Sequence, residues 1–254
     1  MSIAWVTGAT AGIGRECCLV LAEQGWDIIA LARRQERLEG LSTEIRARGR
    51  RALALPCDLQ DRAALDQLPA RLPADWREID LLVNNAGLAL GVEPLAKGNP
   101  DEWDRVLDTN VRALLVLTRL LLPGMLERRR GHIVNIGSVA GRQAYPGGAV
   151  YCASKAAELA ISRALAMDLV GTPLRVTTID PGLVETEFSL VRFRGDEVRA
   201  RAVYQDIQPL GPRDVAEAVA WAAARPPHVQ VSEMVLLPTC QASAWHVHRG
   251  PYPA

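Results

Sequence analysis

Tyr151 and Lys155 stand four residues apart in a run, Tyr151 to Leu169, whose pattern is helical. Positions i and i+4 share one face of a helix. A free phenol ionises near pH 10. A neighbouring ammonium stabilises the phenolate and lowers that value. Such a phenol can exchange a proton with a substrate oxygen near neutral pH. On its own the pair describes many helix surfaces. Composition sharpens it: of 29 basic residues only Lys97 and Lys155 are lysines. Ser138 follows the strand-like run His132–Ile136, thirteen residues before Tyr151, where a hydroxyl can hold a substrate oxygen. Asn110 falls inside an apolar helical stretch, where a buried amide must find partners.

A second chemical signal lies near the start. Thr7-Gly8-Ala9-Thr10-Ala11-Gly12-Ile13-Gly14 follows a short apolar run and opens a helical pattern. Glycines let a pyrophosphate approach the main chain, and the helix start offers unpaired N–H groups to it. The spacing is G-x-x-x-G-x-G, and its strand–turn–helix setting gives it meaning. The next strand ends Leu31-Ala32-Arg33-Arg34, with no acid before Glu36. An acid there would bind the 2′-hydroxyl of NAD. Two arginines suit the 2′-phosphate of NADP instead.

These residues need a frame. Apolar runs without polar alternation occur at Ile3–Val6, Asp27–Ala32, Ala52–Cys57, Asp80–Asn84, His132–Ile136, Arg175–Ile179 and Met234–Leu237. Strands buried on both faces look like this. Helical patterns lie between them: Ile13, Cys17, Val20 and Leu21 before Gly25; Leu38, Leu41 and Ile45 before Gly49; and a longer one from near Asp101 through Val106, Ala113, Leu114, Leu117 and Leu121. The alternation predicts an α/β fold with a single doubly wound parallel sheet of Rossmann type, helices on both faces. The 254 residues read as one domain. Residues 187–212 are charged and lack a strand, which suits either a substrate lid or a surface excursion.

Lys plus Arg equal Asp plus Glu at 29 each, so no nucleic-acid footprint is expected. The run Arg128-Arg129-Arg130 reads as a helix C-terminus, where cations are favoured. Five scattered cysteines, with no C-x-x-C pair, suggest free thiols in a reducing compartment and imply no metal site. The first residues enter a strand without a basic leader, and no uninterrupted apolar stretch approaches 18 residues. The expectation is a cytoplasmic protein with no membrane partner.

The motifs Thr7-Gly8-x-x-x-Gly12-x-Gly14, Asn84-Asn85-Ala86-Gly87, Ser138, Tyr151-x-x-x-Lys155 and Pro181-Gly182 together resemble the short-chain dehydrogenase/reductase family over nearly the whole chain. The resemblance implies an NADP(H)-dependent enzyme acting on a small alcohol or carbonyl, with a tetrad of Asn110, Ser138, Tyr151 and Lys155. Tyr151 would be the acid/base. Ser138 would orient the substrate. Lys155 would tune the phenol and bind the nicotinamide ribose, and Asn110 would hold a water. Gly8, Thr10, Gly12, Ile13, Gly14, Arg33 and Arg34 would hold the phosphates. Asp58 and Leu59 would meet the adenine, and Asn85, Ala86 and Gly87 the adenosine ribose. Pro181, Gly182, Val184 and Thr186 would flank the nicotinamide. The family implies a homotetramer.

A narrower resemblance, carried by Ala32 to Leu38, Gly87 to Gly91, Val191 to Asp196 and His246-Val247-His248-Arg249, is to NADP-dependent 3-hydroxy acid dehydrogenases acting on serine or L-allo-threonine. The run Glu185-Thr186-Glu187-Phe188 is one residue shorter than is usual there. A carboxylate substrate needs a cation, and Arg142, Arg192 and Arg194 are candidates, Arg192 foremost. The alternatives are a broad carbonyl reductase for neutral ketones or aldehydes, and a non-catalytic cofactor-binding or interaction protein.

Overall fold

The computed structural model describes residues 2–251. Its centre is β1 (Ile3–Thr7), followed by α1 (Gly12–Glu23), β2 (Asp27–Ala32), α2 (Gln35–Ala47), β3 (Ala52–Pro56), the short α3 (Arg62–Asp66) and β4 (Ile79–Asn84). Then come α4 (Pro100–Leu107), α5 (Ala113–Glu127), β5 (His132–Ile136), α6 (Ala149–Asp168) and β6 (Arg175–Pro181). Two short helices, α7 (Phe188–Arg192) and α8 (Glu197–Ala202), precede α9 (Pro212–Ala223) and β7 (Glu233–Leu236). The expected strands are all present, with ends shifted by up to two residues.

The strands form one parallel sheet in the order β3-β2-β1-β4-β5-β6-β7. The doubly wound expectation is therefore met. Alternate residues of each strand feed two cores. Ala4, Val6, Ile28 and Ala30 pack with α1, α2 and α9 on one face. Ile3, Trp5, Ile29 and Leu31 pack with Leu117, Leu121 and Met125 of α5 on the other. Both faces are dry, which explains why the strand sequences show no polar alternation.

The strand order turns at β1, with β2 and β3 laid down on one side and β4 to β7 on the other, and α1 and α2 pack on the face opposite α5. A crevice opens there beyond the carboxyl ends of the strands, the usual ligand position in such sheets.

The long helix expected from Asp101 is real but not uniform. Asn99 caps α4 by accepting the Asp101 N–H at 3.0 Å. Residues Asp108–Arg112 then form a wide π turn that leads directly into α5. A turn of this kind adds one residue to the helical circuit and often marks a functional site. By length and composition the span Pro100–Glu127 is apolar enough to cross a membrane. Here Ala113, Val116, Leu117, Leu121 and Met125 are buried against the sheet. Arg128 lies at the C-terminal cap of α5, as expected of the arginine run.

Candidate active site

The crevice is a cavity of about 520 Å³. It gathers residues from the whole length of the chain. Gly8 and Gly12 of the first loop both adopt positive φ, at 65° and 49°. A Cβ on Gly8 would stand 3.0 Å from the Ala86 backbone, so only glycine permits this approach. The first turn of α1 has neither a side-chain cap nor an acidic residue. Its N–H groups are thus free to meet an anion. This uncapped, glycine-lined helix start fits a dinucleotide pyrophosphate. Thr7 ties the loop to the next one, its Oγ1 accepting from the N–H groups of Asn85 and Ala86 at 3.0 and 2.9 Å.

Thr10, Ile13, Arg33, Arg34, Asp58, Leu59, Asn85, Ala86, Gly87, Pro181, Gly182, Val184 and Thr186 all line this same cavity, with Ser138, Tyr151, Lys155 and Arg192. Two expected residues do not. Gly14 stands behind the wall, where a Cβ would come within 2.4 Å of both Gly8 O and Asn85 Nδ2. There it packs the start of the helix closely against the loop. Asn110 also lies behind the wall, 1% exposed. Its Oδ1 accepts from Leu88 N–H at 2.9 Å, and its Nδ2 donates to Leu88 O and Ser154 Oγ. A Cβ built on Gly87 would lie 3.4 Å from Asn110 Oδ1 and 3.6 Å from Lys155 Nζ, so both side chains approach that glycine.

The three polar residues of the reacting end come from two segments. Ser138 follows β5 and caps a short 3₁₀ turn, accepting from Ala140 N–H at 3.1 Å. Tyr151 and Lys155 ride on the first turns of α6. The Tyr151 ring lies 5.5 Å from that of Phe188, which leads α7. Lys155 is buried, and its Nζ donates to Ile136 O at 2.7 Å and to Glu158 Oε2 at 2.8 Å. Burial works against its charge, but the Glu158 carboxylate, with Tyr151 and Asp180, holds the ammonium above its ordinary range. Tyr151 adds to the same effect, so the two ends of the pair are electrostatically linked.

Structure separates the three candidate cations. Arg142 is committed to Asp180, at 2.6 Å, and to Glu233. Arg194 points outward to Glu93 and Glu102, at 3.0 and 2.7 Å. Neither lines the cavity. Arg192 does, with its guanidinium over the rings of Tyr145 and Tyr151 at 5.3 and 5.4 Å. It donates to the Tyr145 hydroxyl, while its shielded Nε finds no acceptor among the described residues. Burial pushes the Tyr145 phenol up to about 12, against the pull of Arg192, so that phenol is neutral.

Sequence reasoning missed Tyr145, Arg37, Glu187 and Glu158. Glu187 accepts from Arg34 and Arg37 at 3.3 and 2.8 Å, tying the start of α7 to the arginines after β2. Only the i,i+3 spacing of Lys155 and Glu158 was readable beforehand. The others meet across 47 to 153 residues of chain.

Known proteins agree with this geometry. The short chain dehydrogenase family matches residues 2–195. The NADP-dependent 3-hydroxy acid dehydrogenase YdfG of Salmonella typhi is 48% identical over 249 residues, covering 97% of this chain and 99% of its own. Sulfoacetaldehyde reductase 2 of Chromohalobacter salexigens is 43% identical over 249 residues, covering 97% and 98%. A serine dehydrogenase solved in its closed form with NADP+ superposes with a TM-score of 0.92 at 48% identity, covering 97% of this chain and 99% of its own. Glycine loop, Ser138, Tyr151 and Lys155 around one crevice, together with these relatives, place the chain in the short-chain dehydrogenase family.

Proposed function

We propose that this protein is an NADP(H)-dependent oxidoreductase that interconverts a short 3-hydroxy acid, such as serine or L-allo-threonine, and its carbonyl form. The observation that carries the substrate class is Arg192, which lines the cavity stacked over Tyr151 with an Nε that has no acceptor among the described residues. A shielded donor without an acceptor is costly and is matched by a ligand oxygen. A guanidinium pairs well with a carboxylate.

NADP(H), when bound, supplies the hydride chemistry. Gly8, Thr10, Gly12 and Ile13 hold its phosphates, and Arg33 and Arg34 its 2′-phosphate. Asp58, Leu59, Asn85, Ala86 and Gly87 surround the adenosine half. Pro181, Gly182, Val184 and Thr186 flank the nicotinamide. All of these residues line the crevice.

The chain's own chemistry is proton transfer and orientation. In oxidation the Tyr151 phenolate oxygen takes the substrate hydroxyl proton; in reduction the resulting phenol returns one to the carbonyl oxygen. The Ser138 hydroxyl donates to that same oxygen and fixes its direction. The Lys155 ammonium stabilises negative charge on the phenol and reaches the nicotinamide ribose. Asn110 has both amide hydrogens engaged, and one Oδ1 lone pair is left for a water. Arg192 holds the substrate carboxylate over Tyr151, and α7 and α8 form the lid that carries it.

A substrate panel tests this. With NADP+, serine and 3-hydroxypropionate are expected to outperform neutral secondary alcohols of the same length. Equal rates on neutral alcohols would shift the reading to a broad carbonyl reductase. A preference for a hydroxysulfonate would keep Arg192 as the anion site and replace the carboxylate. Absence of turnover on all of them would leave a cofactor-binding protein.

We extend the proposal to a cytoplasmic homotetramer. Apolar side chains left exposed on α5, α6 and α9 support assembly, with Leu115 46%, Met167 73% and Trp221 48% exposed. All five cysteines are free and buried, as suits a reducing compartment. Light scattering on the purified chain tests the assembly; a monomeric mass overturns it.

A further inference from the structure

Glu158 belongs to none of the motifs that mark the family, yet it touches the most consequential cation in the site. One turn of α6 separates it from Lys155, so both side chains lie on the same buried face. The Glu158 side chain is 3% exposed and its Oε2 stands 2.8 Å from Lys155 Nζ. Taking a carboxylate out of water costs several kcal/mol unless a partner matches it. The partner here is the ammonium that the proposed reaction relies on.

The surroundings are polar and fully engaged. Asp180 of β6 acts on both Lys155 and Glu158. It is held by Arg142, which also holds Glu233, and Glu233 in turn binds Arg163 on the surface. Ser162 donates to the Glu158 main-chain carbonyl and receives from Asn135, which fixes the turn. The charged groups that act on Glu158 are thus Lys155 on its own helix and Asp180 on the sheet. Tyr151 and Arg142 act through those two.

We propose that Glu158 is a positioning residue for the reaction at Tyr151: its carboxylate anchors the Lys155 ammonium and, by balancing part of that charge, limits how strongly the ammonium stabilises negative charge on the phenol. This inference rests on the oxidoreductase reading above. An ammonium paired with a carboxylate presents a dipole to Tyr151; an ammonium alone presents a full charge. Burial pushes the Glu158 carboxyl up to about 7, against the pull of Lys155. The balance therefore changes across neutral pH. With Glu158 protonated the ammonium acts on the phenol at greater strength. With Glu158 ionised the ammonium is held and its effect is weakened.

Glu158→Gln removes the charge and keeps an acceptor for Lys155 Nζ. The chain has only two lysines, so ¹⁵N-lysine labelling with Lys97→Arg leaves one signal to follow. In cofactor-free protein the Lys155 titration is expected to move down by roughly one pH unit in Glu158→Gln, the size of shift an adjacent opposite charge produces. The acid limb of the kcat/KM profile for serine oxidation is expected to move down as well, and Glu158→Asp to fall between the two proteins. NADPH affinity, measured by fluorescence, is expected to stay within about threefold, since no cofactor contact is removed. The unaltered side chains give a second reading: with Glu158 in place, the Lys155 signal carries an extra step near neutral pH.

Absence of that step, or an unchanged Lys155 titration and unchanged rate profile in Glu158→Gln, overturns the proposal. No turnover in the wild type would sink the oxidoreductase reading instead, so the two failures are distinct.

Discussion

The guanidinium of Arg192 sits 5.4 Å from the centre of the Tyr151 ring, and the Tyr145 hydroxyl accepts a hydrogen bond from it. The cation is thereby held over the phenol proposed to exchange a proton. Arg192→Leu should raise the KM for serine by about 10- to 100-fold, the worth of a charge-assisted hydrogen bond, and leave neutral alcohols nearly unaffected. Steady-state kinetics on both substrates checks this; an equal loss on both would remove the carboxylate from the account. Tyr145→Phe should produce a smaller change in the same direction.

Tyr151→Phe keeps the ring against Phe188 and removes the exchanging hydroxyl. Turnover should fall by at least about 10²- to 10⁴-fold, the usual share of a positioned acid/base. NADPH binding by fluorescence should be little changed. Wild-type activity in this variant would remove Tyr151 from the mechanism.

Arg33 is exposed at the cavity edge beside Arg34, which is braced by Thr10 at 3.2 Å. Arg33→Asp should raise the KM for NADP+ by about 10-fold or more through loss of a phosphate contact and added repulsion. NAD+ should be used equally well or better. A coenzyme preference identical to the wild type would refute the 2′-phosphate role.

Gly14 makes no contact with the cavity, and its test is one of stability. A methyl group there meets Gly8 O at 2.4 Å. Gly14→Ala should cost about 1–3 kcal/mol by overpacking. At roughly 2–4 °C per kcal/mol for a chain of this size, the melting temperature falls visibly. An unchanged Tm would show that the loop yields without strain.

Asp27 is a buried carboxylate at the start of β2, bound by Arg50 and Arg51, each at 2.7 Å. Burial alone would raise its carboxyl, but the hydrogen bonds and charge of Arg51, with Arg50, hold it below its ordinary value. A folded-state value below the unfolded one gives stability that is present above the unfolded pKa and lost as pH falls through the folded one. Asp27→Asn should cost about 1–3 kcal/mol at pH 7, a figure reduced by the exposure of the arginines. The deficit should shrink in urea unfolding as pH falls below the ordinary carboxylate range. A deficit independent of pH would exclude the ionic contribution.

Much of this protein was decided by local sequence. Apolar strands without alternation dictate a sheet covered on both faces, because backbone groups in a dry layer must pair with one another. Glycines after Thr7 dictate a turn that comes close to its ligand, because no side chain fits there. The four-residue spacing of Tyr151 and Lys155 puts them on one helical face, because a helix repeats every 3.6 residues. Packing between distant segments decided the rest. On paper Arg142, Arg192 and Arg194 are all candidate cations, with Arg192 foremost. The fold sends the first to Asp180, the last to Glu93 and Glu102, and only Arg192 to Tyr151. Asn110 could have faced solvent or ligand; the chain around Leu88 claims it. Gly14 looks like its neighbours in the loop, and only the approach of Gly8 and Asn85 shows its different task. Spacing along a helix or strand fixes direction within one element. Which charge meets which is set by contacts between elements far apart in the chain, and those exist only once the sheet has closed.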